Sequence, residues 1–77
     1  MNVSSIKAAI TKARSRPVSI RLTDGRALPV AHPDFAMFSP DASEFILYLP
    51  AGGFEVVAIA EIATIQVGDQ AKAKAKA

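Results

Sequence analysis

Residues 18–25 read VSIRLTDG, and this stretch constrains the fold more than any other. Val18, Ile20 and Leu22 alternate with Ser19, Arg21 and Thr23, the period-two pattern of a strand with one buried face. Asp24-Gly25 follows at once, a pair that supplies the positive φ angles of a two-residue hairpin turn. The return strand is expected over 26–31. A chain that opens its apolar alternation this way is committed to antiparallel sheet.

The remaining segments extend that sheet. Residues 4–15 precede the hairpin as an amphipathic helix, with Val3, Ile6, Ala9, Ile10 and Ala13 recurring at three-and-four spacing. Asn2 or Ser4 caps its start, and Pro17 disfavours helix at Arg16. HPDF at 32–35 is a break and SPDAS at 39–43 a turn, with Phe35 and Phe38 between them expected to plug the core. EFILYLP at 44–50 and FEVVAI at 54–59 are strands joined by the AGG turn at 51–53. After an Ala60-Glu61 corner, IATIQV at 62–67 is the last strand. Strands at this spacing with no intervening helices argue for a small barrel or sandwich.

Size and composition limit what such a sheet can be. Seventy-seven residues make one domain, which buries only about 60% of its unfolded surface. There is no cysteine and a single histidine, so neither disulfides nor a metal staples this small core. Hydrophobic residues nevertheless make up 51% of the chain, a balance that favours association between copies. In EFILYL both alternating sets are apolar, so both faces of that strand are expected to be covered. No stretch approaches the ~20 apolar residues of a membrane helix, and MNVSSIK lacks the pattern of a secretory signal, so a cytoplasmic location is expected. The net charge is +2, but Lys72, Lys74 and Lys76 lie in the closing QAKAKAKA; without them six basic residues face seven acidic ones. The segment 69–77 is expected to be a disordered tail behind a single domain over 1–68.

A short basic helix, then RPVSIRLTDG, an apolar hairpin and a closing IATIQV together resemble the Sm-like fold, with the nearest likeness to the bacterial Hfq family. That resemblance implies an N-terminal α-helix followed by a small, five-stranded, strongly bent antiparallel barrel of the SH3 type. It further implies a homo-oligomeric ring joined through the last strands, and RNA as the ligand. Phe45 matches the position where the family stacks a base, and Lys12, Arg14 and Arg16 match its arginine-rich rim. Ile59 and Ala60 stand where the family carries a lysine–histidine pair. The order DGR, HPDF, GGFEV is also similar to a group of small bacterial proteins without assigned activity.

Catalysis has little to work with. His32 has no second histidine or cysteine to share a metal, and no nucleophile frame such as G-x-S-x-G is present. A histidine before proline at a strand end reads as a turn residue bonding a backbone carbonyl or Asp34. The carboxylates fall mostly in turns, and no glycine opens a helix to cradle a phosphate. No enzyme activity, cofactor, small-molecule substrate or membrane partner is expected. Two functions remain: a non-catalytic RNA-binding ring, or an oligomeric structural or adaptor module that binds protein without nucleic acid. The expected RNA contacts are Lys7, Lys12, Arg14, Arg16 and Phe45. The expected subunit contacts are Ile46, Tyr48, Val57, Ile59 and Ile65.

Overall fold

The structure is a computed structural model that describes residues 2–68; the tail expected over 69–77 lies outside them. It is mainly β, with one N-terminal helix and two three-stranded antiparallel sheets. Helix α1 runs Val3–Thr11 and tightens into a 3-10 turn at Lys12–Arg14, one residue ahead of the expected 4–15 at each end. Asn2 caps it: its side-chain oxygen accepts the Ser5 amide at 2.8 Å. Ile6, Ile10 and Ala13 are its buried residues, as the spacing requires.

The first sheet has the order β2-β1-β6, with β1 at Val18–Leu22, β2 at Ala27–Val30 and β6 at Ile62–Val67. Its register places Ile20 between Leu28 and Ile65, and Val18 between Val30 and Val67. The second sheet has the order β3-β4-β5, with β3 at Ala36–Phe38, β4 at Glu44–Tyr48 and β5 at Phe54–Ala58. Here Phe45 lies between Phe38 and Val57. The inner faces of both sheets and the helix stripe share one core. Each sheet's ladder runs one step past its strand ends. The Ile59 amide donates to the Ser43 carbonyl at 2.9 Å, extending β4–β5, and the Thr23 amide donates to the Glu61 carbonyl at 2.8 Å, extending β1–β6. The 3-10 turn Ile59–Glu61 between β5 and β6 is thus held at both ends.

Two expectations need correction. The strands number six among the described residues, in two sheets rather than one closed five-stranded barrel. The chain turns between β2 and β3, where Pro33 opens a 3-10 turn at Pro33–Phe35, and the strands on either side of that turn pair with different partners. The first hairpin turn is also longer than two residues. Leu22 donates its amide to the Arg26 carbonyl at 2.8 Å while Gly25 donates to the Leu22 carbonyl at 3.0 Å. That is a three-residue loop closed by a left-handed glycine, Gly25 at φ 93°. Asp24 does not take a positive φ; its carboxylate accepts the Arg26 amide instead. The second hairpin repeats the construction, with Leu49 bonded to Gly53 and Gly52 bonded to Leu49.

Candidate functional site

His32 is a cap. Its Nδ1 accepts the Asp34 amide at 3.1 Å at the head of the 3-10 turn, and the Asp34 carboxylate lies 3.6 Å away. Of the two partners expected for the ring, a backbone carbonyl or Asp34, it takes Asp34, through that residue's amide. Among the described residues no group of three His, Cys, Asp or Glu side chains is placed to hold a metal ion.

The acidic side chains are occupied by turn and rim chemistry. Arg26 reaches Asp24 through Nε at 2.9 Å and Glu55 through a terminal nitrogen at 2.8 Å, tying the first hairpin to β5. The Arg26 amide and guanidinium hold the Asp24 carboxyl below its ordinary value. Asp41 accepts the hydroxyls of Ser39 and Ser43 at 2.8 Å and the Ser43 amide at 3.0 Å. Those bonds, Ser43 first, lower its pKa as well.

The cations expected to meet RNA are at the surface. Lys7, Lys12, Arg14 and Arg16 are all exposed, on α1, its 3-10 turn and the residues that follow. Neither they nor Arg21 have a carboxylate at ion-pair distance among the described residues. Lys7 is engaged in another way: its Nζ sits 5.1 Å from the centre of the Phe38 ring, a cation–π distance. Phe45 is placed differently from expectation. It is 1% exposed in the core, with its ring centroid 5.5 Å from that of Phe38, so no ring face is free to stack a base. Its strand parity explains this. The inner positions of β4 are Phe45 and Leu47, and Phe45 is the largest of the fully buried side chains.

The expected subunit contacts divide in the same way. Tyr48 is exposed and Ile46 half-buried on the outer face of β4. Val57 is buried and belongs to the core, while Ile59 and Ile65 are half-buried against that core. The outer face of β5 is carried by Phe54 and Val56 and that of β3 by Met37, all exposed. Glu55 misdirects a reading of the strand, because a charged residue ordinarily marks the wet face. Here it shares a side with Val57, and Arg26 reaches across to neutralise it. Two-residue parity propagated from Phe45 through the register Phe45–Val57 identifies Val56 and Phe54 as outward-facing.

Together these residues form one apolar surface. The register aligns Met37, Ile46 and Val56 in a row across the three strands, and Tyr48 with Phe54 in the next. The two aromatic rings are 5.8 Å apart. A hollow of about 290 Å³ opens at the other end of the face, lined by Met37, Pro40, Glu44, Ile46 and Val56 among others. No protein-family model, curated protein or solved structure matches the chain. Among the described residues no helix is long and apolar enough to cross a membrane.

Proposed function

We propose that this chain is a non-catalytic, self-associating module of Sm-like build, which works as a homo-oligomer. The finer fold reading treats β2 and β3 as two halves of one bent strand, interrupted where Pro33 enters. The strand order then becomes β6-β1-β2/β3-β4-β5, the five-stranded arrangement that the Sm resemblance implies. The observation that carries the assembly is the pair of open edges. In that merged order β5 and β6 are the two outer strands, each with a ladder partner on one side only among the described residues. Neither contains lysine, arginine or proline; the one charge on them, Glu55 of β5, is bonded within the copy by Arg26, and the one irregularity, the register shift of β6 at Ala63, is confined to its Ile62 end. Pairing β5 of one copy with β6 of the next continues the sheet head to tail, and such a contact closes into a ring if its rotation allows. Native mass of the full chain tests this: the expected result is a discrete ring of roughly five to seven copies. A chain that stays at 8.1 kDa, or stops at a dimer, overturns the ring.

A second reading, RNA binding by the assembled module, is favoured by the cations Lys7, Lys12, Arg14, Arg16 and Arg21, which have no carboxylate at ion-pair distance among the described residues. One copy offers few phosphate contacts, whereas a ring repeats them around its rim. Single-stranded RNA titrated at several salt concentrations tests it, the expected result being a log–log slope of about −0.7 for each phosphate neutralised. Reversing Lys12, Arg14 and Arg16 to Glu abolishes that binding and leaves the native mass unchanged. Absence of RNA binding at low salt returns the chain to the adaptor function.

A further inference from the structure

The outer face of the β3–β4–β5 sheet is separate from the two edges and stays bare if the edges pair. Its exposure is large: Met37 is 68% exposed, Phe54 58%, Tyr48 55% and Val56 55%. The first sheet is built differently. Its outward positions are Ser19, Arg21, Thr64 and Gln66, all polar; Ser19 is itself covered, at 2% exposure, and the other three are half-buried or exposed. Helix α1 does not cover the second sheet, because its apolar stripe, Ile6 and Ile10, is already buried in the core. A sheet with two apolar faces buries both of them against other elements, and the described residues supply a cover for only one.

We propose that this face is a second, isologous interface that takes the same face of another copy, with Tyr48 and Phe54 of each copy seated over the hollow beside Met37 of the other. Size, charge and shape argue for a second copy as the occupant. The exposed apolar area of the face is about 500 Å². Two such faces together bury about 1,000 Å², the floor of a specific interface. The rows Met37–Ile46–Val56 and Tyr48–Phe54 carry no formal charge, so a two-fold contact brings no like charges together. The shape is self-complementary. The aromatic pair forms a knob at the Tyr48 end of β4, and the hollow of about 290 Å³ lies at its Glu44 end. A two-fold axis across the strands, in the plane of the contact, places each end of one β4 over the opposite end of the other. Each knob then meets a hollow, and the Tyr48 hydroxyl donates to the partner's Glu44 carboxylate. The two sheets pack as an aligned sandwich.

Native mass of the full-length double variant Met37→Lys, Tyr48→Lys tests the interface. Both sites are exposed in the single copy, so the core is untouched. The variant is expected to show half the wild-type mass. A double ring that falls to a single ring supports both this interface and the edge pairing. A wild-type dimer that falls to 8.1 kDa supports the face while overturning the ring. An unchanged mass overturns the face, and so does a wild-type chain that is monomeric at about 100 μM. Oxidation by hydrogen peroxide supplies a readout that needs no variant. Met37 is the only methionine besides Met1, and its conversion to sulfoxide is expected to slow about fivefold or more as concentration drives pairing. A rate independent of concentration overturns the proposal.

Discussion

Truncating Phe45 separates its two candidate roles. If the ring stacks a base, Phe45→Ala removes RNA binding and leaves stability intact. If it is core, stability falls. The side chain is 1% exposed, faces Val57 and Phe38 across the ladder, and has the Phe38 ring 5.5 Å away. Phe→Ala at such a site costs about 3–5 kcal/mol, from lost transfer energy and the cavity left behind. A chain of 77 residues has about 4–12 kcal/mol of stability in all, so most of it is removed. A loss of ~3 kcal/mol lowers Tm by roughly 12–24 °C in a domain of this size. Phe45→Leu keeps most of the volume and is expected to cost about 1–1.5 kcal/mol. Thermal and urea unfolding of the wild type and both variants measure this, with the m-value checking that the transition is the same one. Phe45→Ala melting within ~4 °C of wild type, a change worth under about 1 kcal/mol, would refute the core placement.

Three further outcomes follow from local geometry. Ala42 holds φ 57° in the 39–43 turn, a conformation that costs a residue with a Cβ about 1 kcal/mol. Ala42→Gly is therefore expected to raise stability by roughly 0.5 kcal/mol after the extra entropy of glycine is offset; a lower urea midpoint would count against the strain. Asp24 and Asp41 titrate below the ordinary 3.8 in the folded chain, so their contribution is fully present above that value. It is lost as pH falls through the folded values, and Asp41→Asn is expected to flatten the acid limb of a stability-against-pH curve; an unaltered limb excludes Asp41 as a source. Arg26 bridges Asp24 and Glu55, so Arg26→Ala leaves Glu55 unpaired on the inner side of β5. The variant is expected to be less stable, with Glu55→Gln recovering part of the loss. A double-mutant cycle that gives zero coupling would show that the bridge contributes nothing.

The sequence determined the elements wherever a local rule was strong. Alternation from Val18 to Leu22 and the three-and-four spacing of Ile6 and Ile10 each dictate a local element, while Asp24-Gly25 marks where the chain turns but not the length of the loop. It also marked β4 as apolar on both faces, which is where the exposed surface lies. Two matters were settled only by tertiary structure. One is the division into two sheets at Pro33, because a proline permits a bend but does not say which partners each half will find. The other is which side of β5 faces the core. The pattern FEVVA is nearly symmetrical, and its single charge points to the wrong face. The choice was made by the register of Val57 against Phe45 and by Arg26, which reaches from the first hairpin to Glu55. Both partners are remote in sequence, and a pairing of that kind leaves no local trace in the strand it orients.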